Sequence, residues 1–158
     1  MSQPPANSRT GLLAWLLAVS ALALLLTGCG MKVCLFSAVR GVVTRNGVPV
    51  PNAEVERTYK WGWRASTESD KARTDAQGRF SFDAAWERSI VHGVLPLQPT
   101  VVQTITIRSD GAEYRAWSLG KYNFDDLGEV GRPLNLHCEL TAPDSNRETH
   151  WGIAELSP

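Results

Sequence analysis

The sequence predicts an all-β fold for the region beyond its first 28 residues. Two observations point there. β-Branched runs meet at Asn46-Gly47 and Asp110-Gly111, dipeptides suited to hairpins because both central residues of a type I′ turn need φ > 0. Apolar and polar residues also alternate with period two, in Val101–Arg108 (VVQTITIR) and in Leu134–Leu140, where Leu134, Leu136, Cys138 and Leu140 share a face. A hydrophobic content of 43% and a charged content of 20% suit a folded globular domain.

Taken in order, the chain opens on a polar segment, Met1–Thr10, with one cation, Arg9. Leu12–Leu26 (LLAWLLAVSALALLL) is apolar and closes on Leu26-Thr27-Gly28-Cys29. A charged start, a short apolar run and small residues form the pattern of a secretory signal. A retained membrane span needs about 20 apolar residues, and this run is shorter. Leu26–Cys29 resembles the lipobox of bacterial lipoproteins, which is cut before a cysteine that then carries the lipid. The resemblance implies a signal peptide over 1–28, cleavage between Gly28 and Cys29, and a diacylglyceryl thioether on Cys29. One acyl chain holds a protein weakly and two hold it stably. Gly30 stands where the enterobacterial inner-membrane retention signal has aspartate, so the resemblance implies the outer membrane, facing the periplasm.

About 130 residues remain, with 15 Lys+Arg against 16 Asp+Glu. No basic excess is available for nucleic acid or for a polybasic grip on anionic lipid. With Cys29 lipidated, Cys34 and Cys138 remain in an oxidising compartment, and the even remainder favours a disulfide between them, although an inward cysteine can also serve as a small hydrophobe. Residues 29–34 read as a short lipidated tether, with strand-like sequence beginning by Leu35-Phe36.

Ala38–Arg45 runs into the Asn46-Gly47 turn. Pro49 and Pro51 mark the next segment as an edge strand. Ala53, Val55 and Arg57 continue one face to about Tyr59. Lys60–Lys71 reads as a loop or ragged hairpin, and Asp75–Gly78 as a turn before Phe80 and Phe82, which point one way. Two stretches, Gly41–Val55 (GVVTRNGVPVPNAEV) and Thr74–Phe82 (TDAQGRFSF), resemble the carboxypeptidase regulatory-like domain, whose recurring pattern is G-x-V, G-x-P-V-x-x-A-x-V and T-D-x-x-G-x-F-x-F. The resemblance covers about a third of the mature chain and implies one transthyretin-like β-sandwich of about seven strands. Its motifs specify turns and core positions, so it argues for a fold and not for an activity.

Asp83–Leu97 permits a helical turn at its start. Val101–Arg108 and Glu113–Leu119 form the second hairpin, and Leu134–Thr141 the last strand. The sandwich is thus expected over 35–141, followed by a loose C-terminal tail, 142–158. Together with the lipobox, the Q-T-I-T-I, Y-R-A-W and L-N-L-x-C-E-L segments resemble a family of short uncharacterised bacterial lipoproteins.

No catalytic constellation stands out. The nucleophile elbow and the phosphate-cradling glycine motifs are missing, and His92, His137 and His150 lack metal-ligand spacing. Asp125, Asp126 and Glu129 read as a solvated loop, not as a calcium site or hydrolytic pair. Tyr59, Trp61, Trp63 and Arg64 are the binding candidates, since loop tryptophans stack on sugars or anchor protein partners. The competing reading places both tryptophans over the core, because residues i and i+2 of a strand share a face. The expectation is a non-enzymatic module without cofactor or metal, held at the membrane, meeting a protein or envelope partner. An immunity protein against a periplasm-delivered toxin and a glycan or peptidoglycan binder are the alternatives.

Overall fold

Both hairpin turns form with the backbone their sequences require. Asn46 and Gly47 have φ of 52° and 77°, and Asp110 and Gly111 of 51° and 77°. The computed structural model describes residues 15, 30–62, 66–89 and 99–157. The signal segment, Gly28, Cys29, Trp63 and Arg64 lie outside the described residues. Among those described, no helix is long and apolar enough to cross a membrane.

The chain divides into two compact units, and the larger, Val33–Glu87 with Leu97–Pro158, contains the two main sheets. The strands are β1 (Met31–Phe36), β2 (Val39–Arg45), β3 (Val48–Pro49), β4 (Glu54–Trp61), β5 (Glu68–Arg73), β6 (Arg79–Phe82), β7 (Ala85–Ser89), β8 (Val101–Ser109), β9 (Ala112–Lys121), β10 (Leu134–Glu139), β11 (Ser145–Asn146), β12 (Trp151–Gly152) and β13 (Ala154–Leu156). The smaller main sheet runs β13-β10-β2-β3, with β6 also pairing to β2. The larger runs β11-β12-β9-β8-β4-β5, while β1 and β7 form a two-stranded ribbon. The fold is an all-β sandwich.

Alternation on each strand selects the core. From the smaller sheet it takes Val39, Val43, Phe80, Phe82, Leu134, Leu136 and Cys138; from the larger, Val55, Ile105, Ile107 and Trp117. Gly41 faces the same way, and the Phe80 ring packs against its α-carbon so closely that a Cβ would overlap it. This close approach is the physical content of the G-x-V and F-x-F motifs. The edge placement of Pro49 is also seen, since β3 closes its end of the sheet and leaves the missing N–H without consequence.

Three expectations need correction, and a fourth segment, Lys60–Lys71, takes the hairpin of its two alternatives, since β4 and β5 pair antiparallel. The first strand begins at Met31, not near Leu35, so the tether assigned to 29–34 is mostly strand. Ala85–Ser89 is a strand, not a helical turn. In Lys60–Lys71, β4 continues through Trp61 and β5 begins at Glu68. The tail after 141 is not loose: β13 pairs with β10, β12 pairs with β9, and Ile153 and Ala154 are core. Short polar residues around an I-A pair hid that packing. His150 anchors the same segment, stacking on Trp117 with ring centroids 4.1 Å apart and bonding the Ala154 carbonyl at 3.0 Å.

Candidate functional site

Two places concentrate polar chemistry. One is buried, around Glu129; the other is an open groove on the outer face of the smaller sheet.

Inward alternation on β8 and β9 places Gln103 between Val101 and Ile105, and Lys121 opposite Val101. Both are fully buried, as is the Glu129 side chain that meets them from the 122–133 connection. Lys121 Nζ approaches Glu129 Oε1 at 3.1 Å and also donates to the Asp125 carbonyl at 2.7 Å. Gln103 Nε2 donates to the same Oε1 and to the Leu35 carbonyl, each at 2.8 Å. Ser37 closes the arrangement: its N–H donates to Oε1 at 3.0 Å and its hydroxyl donates to Oε2. That hydroxyl accepts the Leu127 N–H at 2.8 Å, which holds Leu127 at φ 60°, a left-handed conformation a leucine rarely adopts. Burial pushes the Glu129 carboxyl up, but the Ser37, Gln103 and Lys121 interactions outweigh it and hold it below the usual carboxylate value. The cluster pins the connection to the segment after β1. The Ser37 hydroxyl and the Glu129 carboxylate are both fully buried.

Arg57 is a further internal charge, 2% exposed. It grips Asp70 with Nε and Nη2 at 2.9 and 2.6 Å, donates to the Asp83 carbonyl, and lies over the Phe36 and Phe82 rings. Its bidentate fork and aromatic stacking explain how an arginine occupies an inward position.

The sequence-derived sites fare unequally. Trp61 is 5% exposed and packs with Val33, Leu35 and Val101, edge-on to Phe124 at 5.5 Å. It is core, so its proposed contact role is corrected. Tyr59 is half-buried beside Phe36. The disulfide is corrected as well: Cys34 and Cys138 are both free, buried thiols. Cys34 faces Ser37 and Asp126, each 3.9 Å from its sulfur, whereas Cys138 belongs to the apolar core between the sheets. Burial raises both thiols, Cys138 to about 12. Cys138 therefore behaves as the small hydrophobe of the alternative reading. Glu129, expected in a solvated loop, is instead the most buried acid described.

The groove has a volume of about 710 Å³. Its floor is the outer face of β2, β6 and β10, where cross-strand register sets Arg40 between Ser81 and Asn135 and Val42 between Arg79 and His137. Arg73 and Asp75 form one rim, and Ser157 stands at the other side of the lining. Asp75 Oδ1 accepts the Gln77 and Arg79 N–H groups at 2.8 Å, so it caps its own turn. Arg40, Ser81 and Arg79 are exposed. Sequence patterning missed this site because its residues come from four separated segments, and the motifs in two of them specify turns and core positions, not a surface.

Residues 39–143 match the family model described as a domain of unknown function, DUF6795. The chain belongs to this family. The DUF6795 domain thus spans the walls of the groove from β2 to β10, and Ser157 lies beyond it. No curated protein and no solved structure is detectably similar to the chain.

Proposed function

We propose that this chain is a lipid-anchored, non-enzymatic binding module of the bacterial envelope, meeting a protein or envelope partner through the groove of the smaller sheet. The observation that carries the reading is the contrast between the two polar sites. Ser37, Lys121 and Glu129 are consumed by one another in the interior, while Arg40, Arg79 and Ser81 stand on an open wall of the groove. A buried, hydrogen-bonded cluster orders a fold, whereas an open concave surface with convergent polar groups recognises a ligand. The carboxypeptidase regulatory-like resemblance is consistent with a domain that presents surfaces and performs no chemistry. The lipobox resemblance supports the anchor at Cys29, and Gly30 in place of the retention aspartate supports the outer-membrane, periplasm-facing location. With β1 beginning at Met31, the lipid would hold the domain close to the bilayer.

Anchoring is tested by Cys29→Ala, which should abolish palmitate incorporation and release the protein from membranes. Retention of the protein in the membrane fraction would contradict the lipid anchor. Recognition is tested by placing a photoreactive side chain at Ser81 and, as control, at exposed Val102 on the other sheet. In intact cells Ser81 should yield discrete adducts and Val102 should not. Absence of adducts from Ser81 would sink the groove as the recognition surface.

A further inference from the structure

We propose that the groove is an anion site, taking a carboxylate or phosphate group of its partner between Arg40 and Arg79. This deepens, and rests on, the reading of the groove as the recognition surface.

Arg40 lies opposite Ser81, and Arg79 lies two residues from Ser81 on the same strand and the same face. The two arginines are therefore diagonal neighbours, about 7–8 Å apart at the backbone, within reach of one another's side chains. Like charges so placed repel unless an anion stands between them. Five other arginines have acidic partners: Arg45 with Asp110, Arg57 with Asp70, Arg108 with Glu54, Glu56 and Glu113, Arg115 with Asp144, and Arg147 with Glu155, whereas Arg132 donates to the Ser157 carbonyl. Among the described residues, Arg40 and Arg79 have no carboxylate partner.

Nearby acids do not fill that role. Asp75 spends Oδ1 on two backbone N–H groups of its turn. Glu139, farther along the outer face of β10, accepts from Asn46, Gly47, Thr141 and Thr44. Hydrogen bonds from the Thr141 hydroxyl and the Gly47 N–H hold it well below the usual carboxylate range, so it remains ionised yet committed to the hairpin. Three guanidinium groups in the lining, Arg40, Arg73 and Arg79, thus face one carboxylate. The excess stands out in a chain whose formal net charge is +0. Ser81 beside Arg40 adds a neutral donor. Guanidinium forks match the planar, two-oxygen edge of carboxylate and phosphate, so such a ligand gains charge-assisted bonds while relieving the repulsion.

The test titrates full-length protein in detergent with inorganic phosphate and with succinate, ionic strength being held constant with sodium chloride. Binding is read from the thermal midpoint and amide chemical shifts. At least one anion should give a saturable response, with shifts at residues 40, 79 and 81. Arg40→Ala with Arg79→Ala should weaken it tenfold or more, and Arg40→Gln with Arg79→Gln should do the same if the alanine pair folds poorly. A response to succinate alone assigns a carboxylate-bearing partner, and one to phosphate alone a phosphate-bearing partner. A response to neither beyond sodium chloride, or an undiminished one in both variants, overturns the anion site. Adducts from Ser81 with no anion response would leave the recognition surface standing and remove only this inference.

Discussion

Glu129→Gln is expected to destabilise the domain by about 3–5 kcal/mol, because it leaves the fully buried Lys121 ammonium without its counter-charge. Domain stabilities are typically about 5–15 kcal/mol, so this single atom exchange removes a large share. Chemical denaturation of the two proteins measures it. Replacing both partners, Lys121→Met with Glu129→Gln, should recover part of the loss, since the cost lies in stranding one charge and not in losing the pair. The acid limb supplies a second readout. The folded Glu129 carboxyl titrates below its unfolded value, so its stabilisation is present above the unfolded pKa and lost as pH falls through the folded one. Wild type should therefore lose this contribution at a pH below the ordinary glutamate range, and the glutamine variant should lack that part of the slope. Equal stability of wild type and variant would mean the cluster contributes nothing to the fold.

Trp61→Ala should cost about 3–5 kcal/mol as well, the usual penalty for deleting a large buried aromatic. For a domain of this size that corresponds to a fall in thermal midpoint on the order of 10–20 °C. The ring fills the space bounded by Val33, Leu35 and Val101, and Phe124 and Tyr59 pack against the same cluster. At a temperature where the variant remains folded, adducts from Ser81 should persist. A midpoint change of less than about 2 °C, with adducts lost, would restore Trp61 as a contact residue.

Period-two alternation and hairpin dipeptides made the all-β class, both turns and most core positions legible. They even oriented the misfits: Gln103, Lys121 and Arg57 occupy inward positions by the same parity that buries Ile105 and Val55. What parity cannot supply is the partner. Glu129 and Ser37 are 92 residues apart, and Glu129 comes from a connection without regular spacing. Its acidic neighbours Asp125 and Asp126 made that connection read as solvated. The tail was misread for a related reason. Its strands are two or three residues long, too short for a period to show, and become strands only because β9 and β10 offer free edges. Cysteine parity also misled: an even count shows what is possible, while the surroundings of Cys34 and Cys138 differ entirely. The groove was invisible for the opposite reason to Glu129. Arg40, Arg73 and Arg79 share no sequence pattern; register sets Arg40 diagonal to Arg79, and Arg73 joins the same lining from β5.

The most direct measurement is the yield of photo-adducts from Ser81 set beside that from Val102 in intact cells, in wild type and in Arg40→Ala with Arg79→Ala. Discrete adducts are expected from Ser81 alone, diminished in the double variant while the thermal midpoint stays near wild type. Equal yields from both faces, or no adducts from Ser81, would contradict recognition through the groove.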